Sequence, residues 1–586
     1  MKLFDAPTKN LEQFENLCVF AKKHGGTHVS VSHLPDSQWQ WELDRYDPYP
    51  SWNMKNPSIL KIFTPDKLKL WVNQEYAEKA KQLIAERGKI LKKYGLKGAF
   101  SGAEPAYLEK GAFEAYPQLR GPACEKPKRS RKTYYAPCVD NHEVLEMYMN
   151  AVKELYTLAE VEYFGFLTND SGAGLCWSHG LYAGVNGNSD CEHIVFGERV
   201  RKFLDTIQNA AGGSAIISMG GSIHKHEVDG TVKYLGKNQV FQGKTVDDKP
   251  IICGMGLSGT FFSTGLYPVK YLPQPLIYIR GYMGMMNAQN QYPDISSMIA
   301  FEQAETDEWF KLYEFLTENP VPKNNKECDD LLYKYCEKQV GAEYANDLYE
   351  IYGHIYTARE GIGNIHGDGP LLLTGTVNQR WLTRPLVSKP LELPDEDRKY
   401  YREYLFQSNS EEEAEDLANM QGTRFLGGPS AVVIIVRYLT DSLNHTKAAI
   451  ELAYKLSAVD EGFDLLARRL KVLACVYRNI INIVLFQEKM DKTDFENPPF
   501  ELPDKWQKGD QLLHEVNNIL ANELDNMRDL KNVLSTGPFD LMELADTPED
   551  ENIFIYSPEI IKHIDKKVDI MNRHKDEFKK YYRRNS

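Results

Sequence analysis

A chain of 586 residues with 42% hydrophobic and 26% charged residues has enough apolar material for a large buried core, so global disorder is excluded. Its 83 acidic residues against 69 basic ones leave a net charge of −14, which repels phosphate backbones and argues against nucleic acid as a partner. The longest apolar run, Ala431 to Val436, stops at Arg437, well short of the ~18 residues a membrane span needs.

At roughly 100–200 residues per domain the length suggests two to four units. The segment Met1 to Pro7 lacks the apolar core of a secretory leader. A cytoplasmic protein is expected, the alternative being a periplasmic or secreted one whose leader has been removed. Nine cysteines, an odd number scattered along the chain, read as free buried thiols rather than a disulfide framework. Cys138 and Cys176 lie beside chemically interesting segments, yet neither has a second Cys at metal spacing.

The first ~300 residues alternate short apolar strands with amphipathic helices, the pattern of a parallel sheet with helices outside it. Thr27 to Ser32 is the first expected strand. Tyr76, Ala80, Leu83, Ile84 and Leu91 mark one face of a helix that Gly95 ends with a left-handed cap. A strand over Leu96 to Phe100 runs into Ser101-Gly102-Ala103-Glu104-Pro105. Asp140 or Asn141 then caps a helix carrying Val144, Met147, Tyr148, Ala151 and Leu155 on one side. The strand Val161 to Leu167 follows and ends in Thr168-Asn169-Asp170. Val200, Phe203, Leu204 and Ile207 mark the next helix, and Ser214 to Met219 the next strand. Further strands fit Pro250 to Gly256 and Leu276 to Arg280. About six strands are countable, two fewer than a (β/α)8 barrel needs.

Beyond about residue 295 the periodicity is almost wholly helical, with long helices over 463–488 and 511–534. The expected fold is therefore α/β: a (β/α)8 TIM-like barrel over residues 1–310, followed by a mostly α-helical domain over 311–586 that packs on it and could dimerise.

In such a barrel the working residues sit at the C-terminal ends of strands. The most telling end is Asn169-Asp170, followed by a Gly-rich turn leading to Trp177 and His179. A carboxylate at a barrel mouth beside an aromatic wall, partly desolvated, can hold a proton at neutral pH, as a glycosidic general acid must. The plainer reading is that Asp170 caps the turn. Glu104, at another strand end, is the candidate second carboxylate; otherwise it binds a substrate hydroxyl or pairs with an Arg. If it is catalytic, its separation from Asp170 sets the stereochemistry, about 5–5.5 Å for retention and roughly 6.5–9.5 Å for inversion.

A basic run with Arg131, leading to Tyr135 and Asp140, could bind an anionic sugar through the guanidinium fork, although a solvated loop of charges is the commoner outcome. Trp52, in an aromatic-rich loop after the first expected strand, and Arg280 complete the candidate substrate contacts. His224-Lys225-His226-Glu227 looks like a metal motif but lacks a third ligand, and a β-hairpin suits it better. The Gly-rich stretch from Gly361 to Gly369 follows a helix, so a dinucleotide fingerprint is rejected.

Together these residues resemble a carbohydrate-active (β/α)8 enzyme, in the broad group of α-glucuronidases, β-N-acetylhexosaminidases and their uncharacterised bacterial relatives. The resemblance is carried by a strand ending in Asn169-Asp170 before a Gly/Cys-containing loop, and by the helical second half. It implies that Asp170 takes the general-acid position; separately, neither a cofactor nor a metal is expected. Hexosaminidases typically place Asp-Glu at this strand end, where this chain has Asp170-Ser171; that departs from substrate-assisted hydrolysis. The small α/β domain usual before such barrels has no counterpart here.

The leading expectation is an exo-acting glycoside hydrolase on an oligosaccharide or glycoside bearing a uronic or sialic carboxylate or an N-acetylhexosamine. Asp170 is its acid and Glu104 its base or nucleophile, with Asn169, Trp177, His179 and Arg280 holding the sugar. Two alternatives stay open: a uronate-sugar lyase or epimerase with His179 or Tyr135 as base, and a non-catalytic carbohydrate-binding protein whose helical half dimerises.

Overall fold

The computed structural model describes residues 1–34, 57–123, 133–167, 174–179, 186–221, 223–255, 268–301, 306–365, 381–388, 393–398, 429–491, 509–537, 540–551 and 556–579. The chain forms two compact units, one of Met1–Gly259 with Arg280–Val321, the other of Thr260–Ile279 with Pro322–Ser586.

Eight parallel strands organise the first unit. They are β1 (Lys2–Asp5), β2 (His28–Ser30), β3 (Lys97–Ala103), β7 (Val161–Leu167), β8 (Ile216–Gly220), β9 (Gln239–Phe241), β10 (Ile252–Met255) and β11 (Ser296–Ala300). The intervening numbers belong to a small antiparallel sheet of β4 (Leu108–Glu109), β5 (Arg120–Ala123) and β6 (Tyr134–Pro137). The large sheet runs β10-β11-β1-β2-β3-β7-β8-β9. Apart from β9 and β10, consecutive strands of this sheet lie side by side, and β11 returns to pair with β1 in parallel, Leu3 against Met298. This is the circular order of a (β/α)8 barrel, with seven of eight seams hydrogen-bonded. Among the described residues β9 and β10 do not pair, so the sheet is curled but open at that seam.

Side chains confirm the curl. Leu3, Ala99, Tyr163 and Ile216 form one apolar cluster, joined by Ile252 and Met298, so residues from six strands meet on the inner face. Phe4 points the other way. Its ring lies 5.9 Å from Phe20 on α1 (Leu11–Lys23) and 5.7 Å from Tyr313 on a helix over Thr306–Glu318. Alternation with period two thus separates a barrel interior from a helix-covered exterior.

The helices start and stop where local chemistry directs. In the helix Gln74–Tyr94, Asn73 accepts hydrogen bonds from the main-chain N–H groups of Glu75 and Tyr76, and Gly95 closes it at φ 63°. Asn141 caps His142–Ala159, taking the N–H of Glu143 and Val144. Of the two cap residues weighed from sequence, it is Asn141 that serves.

Three expectations are corrected. Leu276 to Arg280 is not a strand but part of a helix, Pro275–Gln291. His224 to Glu227 does not form a hairpin. His224 caps a short helix, Lys225–Thr231, its ring nitrogen accepting from His226 N–H. The strands that sequence left uncounted are β1, β9 and β11.

The second unit is built from helices Asn325–Val340, Ala345–Gly363, Pro429–Leu456, Gly462–Asp491, Gly509–Ser535 and Ile560–His574. The stretch Gly462–Met490 is long and apolar enough to cross a membrane by composition, an 18-residue segment of it having mean hydropathy 1.4, but 78% of that segment is buried inside the fold, as in a core helix.

Candidate active site

The inner face of the barrel changes character along the strands. Beneath lies the apolar floor of Leu3, Ala99, Tyr163 and Ile216; one step towards the C-terminal ends, the inward positions are Asp5, Ser30, Ser101, Gly165 and Ser218. Small and polar side chains thus replace the apolar ones of the floor, and they pack closely. At Gly165 an added Cβ would come within 3.1 Å of Ser101 Oγ and 3.3 Å of the Tyr163 ring.

Asp5 is the charged member of this layer. It is buried, and its Oδ1 lies 2.5 Å from Nε2 of His33, three residues beyond the end of β2. Burial pushes the Asp5 carboxyl up, but the charge of His33 and hydrogen bonds from His33 and Ser30 outweigh it, so its pKa falls below the ordinary value. His33 keeps about a fifth of its side chain exposed, 18%. Behind the pair, the fully buried Arg87 donates Nη1 hydrogen bonds to the carbonyls of Val31 and His33, and Nη2 to Thr8 Oγ1 at 3.2 Å. Ser30 and Ser32 share a hydroxyl contact of 3.1 Å, and Ser32 Oγ accepts from the Ser101 N–H. The result is an ionised carboxylate and a reachable imidazole at adjacent strand ends. Sequence reasoning missed Asp5 because it did not assign β1, and without that partner His33, just past an assigned strand, drew no attention.

Glu104 is placed differently from expectation. It is 0% exposed and turned away from the barrel interior. Oε1 accepts from Ser58 Oγ at 3.0 Å and from the main-chain N–H of Ile59 at 2.5 Å, while Oε2 accepts from the Tyr148 hydroxyl at 2.6 Å. Burial raises its pKa to about 7 against these three stabilising bonds. An enclosed carboxylate with both oxygens engaged ties the strand end to the helix layer and is not positioned to meet a sugar. It lies apart from the Asp5–His33 pair, bound instead to Ser58, Ile59 and Tyr148.

The loop after β7 is held at several points. Ser178 Oγ and the main-chain N–H of His179 both donate to the buried Glu227, at 2.9 and 2.8 Å. Trp177, at φ 59°, donates from its indole Nε1 to the Asn188 carbonyl at 2.9 Å. His179 leaves its side chain exposed. Glu227, read from sequence only as part of a doubtful metal motif, is thus the anchor of this loop.

Asp140 is spent on an internal pair. Its Oδ2 accepts from Nε of Arg199, and both side chains are almost wholly buried. Tyr135 sits in the small sheet, edge-on to Phe113 at 5.9 Å with the Arg120 guanidinium 5.8 Å from its ring. Arg280 is on a helix rather than at a strand end. None of these three occupies the inner polar layer. Asn169, Asp170, Arg131 and Trp52 lie outside the described residues.

The eight described cysteines are free and seven of them are buried, as the sequence led one to expect. The side chains of Cys138, Cys176 and Cys191 converge, although their sequence spacing carries no motif.

No family model and no curated protein matches this chain. Among solved structures, it is similar to a GH138 enzyme targeting pectin rhamnogalacturonan II, with TM-score 0.44 and 12% identity over 99% of this chain and 84% of that one. It is similar to an O-GlcNAc hydrolase of Thermobaculum terrenum, with TM-score 0.33 and 10% identity over 90% and 96%. A third likeness is to the GH20 catalytic modules of the pneumococcal exo-β-D-N-acetylglucosaminidase StrH, with TM-score 0.24 and 13% identity over 58% and 92%. All three are glycoside hydrolases.

Proposed function

We propose that the chain is a glycoside hydrolase whose reaction takes place at the C-terminal ends of the barrel strands. The observation that carries this reading is the polar layer above an apolar floor, with the Asp5–His33 pair at the ends of β1 and β2. Asp170 follows the end of β7 by three residues and is the general acid that protonates the leaving oxygen. Asp5 holds the His33 imidazole towards the substrate, where it bonds a sugar hydroxyl or carries a proton. Glu227 keeps the loop beyond β7 in place by gripping Ser178 and the His179 main chain, and the exposed His179 ring is a substrate contact. An exo-acting enzyme on a sugar bearing a carboxylate or an N-acetyl group remains our specific assignment, with Arg131, Asn169, Trp177 and Trp52 as its binding residues.

The test is hydrolysis of aryl glycosides, including glucuronide, N-acetylhexosaminide and sialoside, by wild type and Asp170→Asn. Turnover of one substrate, reduced at least 10²-fold in the variant with binding retained, supports the assignment. Equal turnover by both proteins removes Asp170 from the mechanism. Binding without turnover across the panel would select a non-catalytic carbohydrate-binding protein.

A further inference from the structure

We infer that Cys138, Cys176 and Cys191 form a zinc site that fastens the loop after β7 to the start of the helix His142–Ala159. The three thiols come from separate segments. Cys138 follows β6, Cys176 lies in the loop beyond β7, and Cys191 closes a helical turn ahead of the helix Phe196–Ala210. Their Sγ atoms all lie within 4.8 Å of one another, and the residues are 2%, 1% and 3% exposed. Cys138 Sγ is 3.7 Å from Cys191 Sγ and 3.7 Å from Cys176 Sγ. A tetrahedral zinc with Zn–S bonds of ~2.3 Å places its sulfurs about 3.8 Å apart, whereas a disulfide requires ~2.05 Å. The separations match the edge of a coordination tetrahedron.

The surroundings are built as a metal site needs. Arg199, 1% exposed, donates Nη1 to the Cys176 carbonyl at 2.5 Å and Nη2 to the Cys191 carbonyl at 2.8 Å, fixing two ligand-bearing loops before any ion arrives. Binding releases three thiol protons to solvent and leaves a Zn(S-Cys)3 unit of charge −1. With Asp140 the negative charge is two, and Arg199 together with Lys202, whose Nζ donates to the Asp140 carbonyl at 2.9 Å, supplies two positive charges. Asp140 Oδ1 is buried and has no hydrogen-bond partner among the described residues. The three thiols leave the fourth coordination position to a water or another small ligand. The site is structural, and it is independent of which reaction the barrel performs.

The experiment measures metal in the full chain, purified under reducing conditions after expression with added zinc. One zinc per chain is expected, falling below about a fifth of that in Cys176→Ser and Cys191→Ser, with Cys336→Ser as a control that keeps its metal. Since a cysteine variant could simply fail to fold, cobalt exchange into the wild type gives a second reading. A thiolate-to-Co(II) charge-transfer band and tetrahedral ligand-field bands are expected. Metal-free wild type after reconstitution, cobalt spectra without thiolate bands, or a disulfide within the trio under non-reducing mass spectrometry would each overturn the inference.

Discussion

Asp5 and His33 meet at 2.5 Å across the C-terminal ends of two neighbouring parallel strands, with the carboxylate buried and the imidazole partly open. A charged acceptor aimed at one ring nitrogen fixes both the orientation of the ring and which nitrogen carries the proton. Asp5→Asn keeps the shape but replaces a full negative charge with a weaker amide acceptor. If His33 acts on the substrate, kcat/KM falls by roughly 10²-fold with the circular-dichroism spectrum unchanged, most of the loss appearing in kcat. Wild-type kinetics in Asp5→Asn would reduce the pair to a structural contact. Stability carries a second signature. Because the folded-state pKa of Asp5 is depressed below 3.8, its contribution is present above that value and is lost as pH falls through the folded pKa. Wild type should therefore lose stability on acidification more steeply than Asp5→Asn.

Five strands were legible in sequence: β3 and β7, each seven residues, β8, five residues, and the shorter β2 and β10, of three and four residues. β1 and β9, four and three residues long, were not assigned. β11, Ser-Ser-Met-Ile-Ala, carries serines where an apolar run is expected. The segment Leu276 to Ile279 failed in the opposite sense. Its β-branched and aromatic residues read as a strand, while the surrounding sequence makes a seventeen-residue helix of it. Missing β1 meant missing Asp5, so the most telling pair of the barrel layer stayed hidden. Convergence of three cysteines at intervals of 38 and 15 residues is a product of tertiary folding, which no local pattern announces. Glu104 was found because it sits at a strand end, but which way a side chain turns after the last ladder residue is decided by the helix packed there.

The placement of Glu104 yields a pH prediction of unusual sign for a carboxylate. Its folded-state pKa is raised to about 7 from 4.5, so the folded protein holds a proton that the unfolded chain has released. Between about pH 4.5 and 7 the folded state binds more protons, and stability falls as pH rises through this window, by up to about 3 kcal/mol, levelling above it. Glu104→Gln removes the titration while keeping a hydrogen-bonding amide. Denaturant unfolding from pH 5 to 8 should show a shallower decline in the variant than in wild type. Parallel curves would mean that Glu104 ionises as readily folded as unfolded. Since the side chain is enclosed, hydrolytic activity at pH 7 should change little.

In the helical unit, Lys567 and Glu523 are both 0% exposed and ion-paired. Glu523 also accepts from Asn479 Nδ2 at 2.6 Å and Asn482 Nδ2 at 2.7 Å, and Lys567 Nζ donates to the Leu382 carbonyl at 3.0 Å. Desolvating two charges costs nearly what their attraction returns, so the pair as a whole adds little net stability. Removing one partner is another matter. Lys567→Met leaves a buried carboxylate facing the amides of Asn479, Asn482 and Asn526 without its ion-pair partner, and should destabilise the protein by about 3–5 kcal/mol. In the double variant Lys567→Met/Glu523→Gln the uncompensated charge is gone, and most of that loss should return. The measurement is the guanidinium unfolding midpoint of all four proteins in a double-mutant cycle. If the double variant is as unstable as the sum of the two single ones, the side chains act independently and the pair is not the unit that holds these helices together.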